Sequence, residues 1–355
     1  MSVRSPTALM IENMDSQPLV SVLIPTYNRC QLLTKAIRSA QIQSYEALEI
    51  IVSDNASQDE TPALIRPIAA ADARVRYFRF DQGVEPAQNW RNCLHLATGK
   101  YCFILCDDDF LLDLDYVKNS VALLEKHQAG LLVTDCILGT HIQDYIYNQA
   151  TNLRLPEHIP GREFFLKFWE GSYSPPVISG LFHRELAIAC DAFTVGGTAL
   201  MDIELWLKLM LLTDVVYNPF PSVLYYQHGA NWLFSMSLDD RRIDIQFIDR
   251  VFEFAQARSA FPLEVLLPWR ARMYQYYIHV HILNECLRVG IPEAEFAAFG
   301  AAVGAPVGIS YRACQLAYRS RQSRYWQLIS DGLGQAWRIP WIVQLYKFAK
   351  DKIKL

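Results

Sequence analysis

Three consecutive acids, in the cluster Cys106-Asp107-Asp108-Asp109, follow the apolar run Tyr101-Cys102-Phe103-Ile104-Leu105. Alternation along an extended chain puts Asp107 and Asp109 on one side and Asp108 on the other. Two carboxylates on one side suit a hard divalent cation, Mg2+ or Mn2+, which takes oxygen ligands and bridges carboxylate to phosphate oxygens. The competing reading is a solvated acidic turn that caps the next helix, because like charges this close repel unless something positive neutralises them. Taken alone, the triplet leaves both open. Two further polar clusters share its setting at the end of an apolar run: Pro25-Thr26-Tyr27-Asn28-Arg29 after Leu19 to Ile24, and Ser53-Asp54-Asn55-Ala56-Ser57 after Leu48 to Val52.

The elements that must position these clusters alternate in type. Leu19 to Ile24, Leu48 to Val52, Val75 to Phe80, Tyr101 to Leu105 and Leu131 to Thr134 read as strands. Their nearly continuous apolar runs suit strands covered on both faces. Between them lie a helical stripe at Leu32, Leu33, Ile37 and Ala40, a helix opened by a Ser57/Glu60 capping box, a helix over 86–98 closed by Gly99, and a helix from Asp115 to Lys126. Such βαβα alternation predicts an open, mainly parallel α/β sheet with helices on both faces, in which ligands bind at the carboxyl ends of the strands. The polar clusters fall at that edge. Past residue 136 the alternation is lost. A short helix at Glu163 to Glu170, a helix from Asp202 to Leu212 and runs at Val215 to Tyr217 and Val223 to Tyr226 follow. From Asp239 the chain reads as helices, with a break at Gly300 to Gly308.

Composition bounds the function. The 355 residues are 52% hydrophobic and 20% charged, which suits a folded chain of about two domains. A net charge of −4 argues against a general nucleic-acid binder, since neutralising many phosphates needs a basic surface. From Gly300 onward the balance is +7, so the preceding part carries −11. The eight cysteines, without a CxxC pair, read as buried, reduced thiols of a cytoplasmic protein. No secretion signal or membrane span is expected.

The order of Ser21 to Arg29, Ser53 to Ser57, the segment from Gln82 and Gly83 through Asn89 and Gly99 to Tyr101, and the acidic triplet resembles family 2 glycosyltransferases of the GT-A fold, over roughly residues 19 to 235. The resemblance implies a nucleotide-sugar site made by Pro25, Thr26, Tyr27, Asn28, Arg29, Asp54, Asn55, Gly83, Asn89, Asp107 and Asp108. Asp54 would accept a hydrogen bond from the base; its local alternative, compatible with that role, is an Asx-turn holding Ser57. The triplet would be the family's DXD element, with Asp109 and Asp107 as ligands to Mn2+ or Mg2+. That cation would stabilise the charge building on the β-phosphate as the sugar leaves. The stretch Met201-Asp202-Ile203-Glu204-Leu205-Trp206 is similar to the family's general-base helix, with Met201 standing where an acid is usual. Asp202 becomes the base and Glu204 the runner-up, and helix capping is the alternative for Asp202. His228, in a segment similar to the family's YRxHxxNxS, would reach metal or diphosphate, against a purely structural hydrogen bond. His183 and Arg184 are weaker candidates for acceptor contacts, and His279 and His281 read as packing.

The implied activity is an inverting, metal-dependent transfer from a nucleoside-diphosphate sugar, UDP-sugar favoured, to a saccharide or lipid-linked saccharide in cell-surface polysaccharide synthesis. Residues 1–18 read as an extension, 19–135 as the donor half, 136–238 as the acceptor half and 239–355 as a helical region. The last stretch from Pro340 sets Trp341, Ile342, Leu345, Phe348 and Ile353 against Lys347, Lys350, Lys352 and Lys354. That pattern fits either attachment to the anionic inner face of the plasma membrane or packing on the body. Rival readings are a sugar nucleotidyltransferase, disfavoured because Pro25 to Arg29 replaces the Gly-rich loop it needs, and a non-catalytic nucleotide-sugar binder.

Overall fold

A computed structural model describes residues 17–139, 147–150, 153–171, 173, 175, 180–193, 199–226, 228 and 236–332. The chain begins with a strand, β1 (Val20–Thr26), all of whose residues are buried, and then α1 (Cys30–Gln41). There follow β2 (Leu48–Asp54), α2 (Thr61–Ala71), β3 (Val75–Arg79), α3 (Pro86–Leu96), β4 (Tyr101–Ile104), the short β5 (Phe110–Leu111) and α4 (Tyr116–His127). The next part contributes β6 (Leu131–Gly139), β7 (Tyr147–Ala150), β8 (His158–Ile159), α5 (Gly161–Lys167), β9 (Leu181–His183), α6 (Arg184–Ala189), α7 (Met201–Met210) and β10 (Val215–Tyr226). Helices complete the described chain: α8 (Leu238–Asp244), α9 (Phe247–Ala257), α10 (Leu263–Tyr276), a π-helical turn (Tyr277–Ile282), α11 (Leu283–Val289), α12 (Glu293–Gly304) and α13 (Tyr311–Gly332).

One sheet runs in the order β3-β2-β1-β4-β9-β6-β10-β5, with β7 on β6 and β8 on β10. The parallel pairing expected from the sequence holds for β3-β2-β1-β4 and for β6 with β10. Between those two parts β9 inserts antiparallel to both β4 and β6, making the sheet mixed. Three residues supply β9, too few for a period-two pattern to show. Helices cover both faces. Buried Val20, Val22, Ile24, Ile37, Val52, Phe103 and Tyr116 form one core, and a larger one joins Leu23, Ile51 and Cys102 to Trp206, Phe247, Tyr277 and Cys314.

Several boundaries differ from expectation. The Ser57/Glu60 capping box does not form: α2 begins at Thr61, whose N–H donates to Asp59 Oδ1 at 3.0 Å, while Ser57 is used elsewhere. The helix expected over 163–170 spans Gly161 to Lys167. Gly300 and Gly304 stay inside α12, and the break is the 3-10 turn Ala305–Val307 closed by Gly308 at φ +78°. A Cβ at Gly300 would lie 2.6 Å from Cys314 Sγ, so that glycine serves close packing of α12 on α13. Among the described residues no helix is long and apolar enough to cross a membrane. The basic tail from Pro340 lies outside the described residues.

Candidate active site

The carboxyl ends of β1, β2 and β4 meet because these strands pair in parallel register, Thr26 beside Asp54 and Leu23 beside Ile104. After β1 the chain turns at Asn28 with φ +53°, a left-handed conformation that Asn tolerates better than most residues. This turn is tied to the one after β2. Asn28 N–H donates to Ser57 Oγ at 2.9 Å, and Gln58 N–H donates to Asn28 Oδ1 at 2.7 Å. Asn55 N–H donates to Thr26 O at 2.9 Å, and its side-chain amide clasps both N–H and C=O of Val84 at 2.7 and 2.8 Å. The segment containing Gly83 is thereby held. A Cβ on Gly83 would meet nothing within 4 Å, so no close approach in this structure requires glycine there. Asn89 is buried; its Nδ2 reaches Thr26 O at 3.5 Å, and its Oδ1 has no hydrogen-bond partner among the described residues.

Asp54 has no exposed surface. Its Oδ1 accepts the Ser57 N–H at 2.8 Å, which is the Asx-turn anticipated from the sequence. Its Oδ2 accepts the Tyr77 hydroxyl at 2.6 Å and lies 3.5 Å from Arg79 Nε. In this structure both oxygens are engaged from within. A base-binding role would need one of those contacts to open.

The three acids are buried and divided in their partners. Asp107 accepts from Thr26 Oγ1 at 2.7 Å, the Tyr27 N–H at 3.4 Å and Arg29 at 3.0 Å. The same Arg29 nitrogen also bonds Asp108, whose Oδ2 lies 3.1 Å from His228 Nε2. Asp109, 1% exposed, accepts the Tyr226 N–H on Oδ1 at 3.0 Å and keeps its buried Oδ2 without a hydrogen bond among the described residues. Burial, with the Asp108 charge alongside, pushes the Asp107 carboxyl up to about 6 against the pull of Arg29. The same two causes push Asp109 well above the ordinary carboxylate range. One guanidinium does not neutralise three clustered carboxyls, and further positive charge would relieve them.

Cys106 Sγ and one oxygen each of Asp108 and Asp109 all lie within 4.8 Å of one another, a spacing that could close on a cation. The candidate ligand set therefore differs from the expected Asp109, Asp107 and His228. Asp107 is engaged by Thr26, Tyr27 and Arg29 and Asp108 by Arg29 and His228, and it is Asp108 that has an oxygen close to Asp109 in this set. His228 is brought to the cluster through Asp108. The flanking Cys106 was missed as a donor; its only signal in the sequence is adjacency to the triplet.

Asp202 and Cys106 line one small cavity together with Trp90, Ile104, Leu205 and Trp206. Asp202 is not the cap of α7. Leu200 occupies that position, and Asp202 Oδ1 accepts the next N–H, that of Ile203, at 2.7 Å. Burial raises its carboxyl to about 7. Glu204 points elsewhere, since two residues along a helix turn the side chain by about 200°. It is 4% exposed and accepts both Arg250 Nε and its terminal nitrogen at 2.9 and 2.7 Å, with Lys208 Nζ 2.7 Å away. Both of its oxygens are engaged by these two cations. His183 pairs with Tyr101, at the opposite end of β4 from the acids, and Arg184 donates to Leu94 O. Neither reaches the site. His279 and His281 fall on the π-helical turn, with the His281 ring packed 5.0 Å from that of Trp169.

Residues 21–183 match the family model Glycosyl transferase family 2. They are a family 2 glycosyltransferase domain. A GalNAc(5)-diNAcBac-PP-undecaprenol beta-1,3-glucosyltransferase of Campylobacter jejuni is 44% identical over 98 residues, 27% of this chain and 31% of that protein. An uncharacterized glycosyltransferase of Haemophilus influenzae is 32% identical over 112 residues, 32% of this chain and 45% of that protein. The chain thus spans less than half the length of these two relatives. Among solved structures, Staphylococcus aureus TarS 1-349 in complex with UDP-GlcNAc superposes with TM-score 0.63 at 14% identity, covering 87% of this chain and 92% of that one. The mannosyltransferase PcManGT of Pyrobaculum calidifontis, in complex with GDP-Man and Mn2+, gives 0.51 at 19% identity, over 89% and 92%. These likenesses show the fold. The sheet of that fold runs beyond the family segment, since β10 lies after residue 183.

Proposed function

We propose that the chain is an inverting, metal-dependent glycosyltransferase that moves a sugar from a nucleoside-diphosphate sugar to a saccharide. The observation that carries this is the pairing of two sites: a buried acid cluster in which Asp109 Oδ2 has no hydrogen bond among the described residues, and a partly buried acid, Asp202, sharing a cavity with the neighbouring Cys106. Residues 19–135 are assigned to the donor, 136–238 to the acceptor and 239–355 to support. Tyr27, 53% exposed beside the cluster, offers an aromatic face on which a base can stack. Arg29 and His228, which lie against the acid cluster, would meet the charge of a bound diphosphate.

Asp109 and Asp108 would hold the cation, Mn2+ or Mg2+, through oxygen, with the Cys106 thiol lying alongside. Bound there, it supplies positive charge to oxygens that become anionic as the donor bond breaks. Asp107 holds Thr26 and Arg29 in place rather than joining that set. Asp202, ionised, takes the proton of the acceptor hydroxyl as that oxygen attacks the sugar from the face opposite the leaving group, which inverts the anomeric centre. Trp90, Trp206 and Leu205 line the cavity around this acid, whose carboxyl burial raises to about 7.

UDP-sugars remain the favoured donors, and the undecaprenol-linked substrate in the Campylobacter relative's name favours a lipid-linked acceptor in cell-surface polysaccharide synthesis. Such an acceptor suits a cytoplasmic enzyme whose basic tail rests on the inner membrane face. A panel of UDP-, GDP- and dTDP-sugars tests the reading. Mn2+-dependent release of nucleoside diphosphate from one of them is expected, and thermal stabilisation by the same donor. A panel in which every sugar nucleotide fails both assays contradicts it.

A further inference from the structure

We propose that the helices after the sheet aim the candidate base, with Asp244 as the positioning residue; the proposal rests on Asp202 as base. Asp244 ends α8 and is 1% exposed. Its Oδ1 accepts the N–H of Ala199 at 2.9 Å, three residues ahead of Asp202 in the turn that opens α7. Its Oδ2 accepts the hydroxyl of Tyr277 at 3.3 Å, the fully buried first residue of the π-helical turn. Two residues beyond Asp202, the buried Glu204 is gripped by Arg250 of α9.

The candidate base therefore sits between two polar ties to the same helical layer. Burying such groups costs free energy unless they are paired, and both are paired across elements, Glu204 also with Lys208 of its own helix. Their geometry does something an apolar contact would not. The Ala199 bond fixes where α7 starts, and the Glu204 bond fixes its rotation, because Glu204 and Asp202 project from opposite faces. Together they leave Asp202 one direction, into the cavity it shares with Cys106. Catalysis is sensitive at this scale: a misplacement of about 1 Å can cost about 10²-fold in rate.

The test compares steady-state turnover of the donor found in the sugar-nucleotide panel by wild type, Asp244→Ala and Asp244→Asn, with UDP affinity in Mn2+ as a readout of the donor half. Asp244→Ala is expected to lower kcat by about 10- to 100-fold with donor KM and UDP affinity unchanged. Asp244→Asn keeps an oxygen for the Ala199 N–H and is expected to restore most of the rate. Where Asp244→Ala does not fold, Ala199→Pro deletes the same hydrogen bond from the donor side and is expected to reproduce the kcat defect. Wild-type kcat in Asp244→Ala or Ala199→Pro overturns the proposal, as does an Asn variant as impaired as Ala, or UDP affinity lost in step with kcat. Asp202→Asn, run in parallel, separates the two readings. Full turnover there overturns the base assignment itself, whereas an inactive Asp202→Asn beside a fully active Asp244→Ala overturns only the positioning.

Discussion

Asp202 is proposed as base on its surroundings more than on its charge. Desolvation in the cavity lifts its carboxyl to about 7, so the ionised form that accepts a proton predominates only above that pH. Turnover limited by this step should rise as pH passes through about 7 and level off above it, and a pH–kcat profile checks this. Linkage gives a second consequence with a definite sign. The folded state holds the Asp202 proton over a range, from the ordinary 3.8 to about 7, in which the unfolded chain has released it. Its stabilising contribution is thus complete at low pH and lost as pH rises through 7. Asp202→Asn should abolish turnover yet melt higher than wild type at pH 8, with the difference closing towards pH 5 in thermal unfolding scans. At this scale the sequence was informative about acids and silent about their division of labour. Asp107 and Asp109 were paired by strand alternation, but the turn after β4 does not continue the strand, and Thr26, Tyr27 and Arg29 take Asp107 instead. Glu204 reads from the sequence as the runner-up to Asp202, because its partner Arg250 lies on a helix no local pattern connects to it.

Strand order decides how closely the loops can approach, and glycine tests that at two points. Gly99 precedes β4, where a Cβ would lie 2.6 Å from Ser21 Oγ and 2.7 Å from Leu19 O, against the start of β1. Gly99→Ala should force the two parallel strands apart at their common origin and destabilise the fold by about 1–3 kcal/mol, read as a lower urea midpoint. Gly83→Ala meets no neighbour and should leave that midpoint unchanged. The βαβα half was legible because each strand is a buried apolar run and each helix has its stripe. Short β9 and β5 carried no such signal, and their places were set by tertiary pairing. The Ser57/Glu60 pattern misled for a related reason: Ser57 Oγ accepts the Asn28 N–H, so a loop-to-loop tie outcompetes a local cap.

The whole molecule is built so that the family segment cannot stand alone. Residues 21–183 end before α7 and β10, yet β10 pairs β6 along its length and carries β5 on its other side. A fragment of residues 1–183 should therefore lack cooperative unfolding, whereas the full chain should show it by circular dichroism. The charge division of the chain makes a separate prediction. Deleting residues 340–355 should abolish co-sedimentation with anionic vesicles while leaving UDP binding intact; unchanged sedimentation contradicts the membrane role of the tail.

The account turns on a cation held beside Asp109 Oδ2. Isothermal titration of UDP into the full chain, with Mn2+ and then with EDTA, for wild type and Asp109→Ala, measures this most directly. Binding that requires Mn2+ in wild type and is lost in Asp109→Ala is the predicted result. Equal affinity for UDP in EDTA, or in the Asp109 variant, would contradict it.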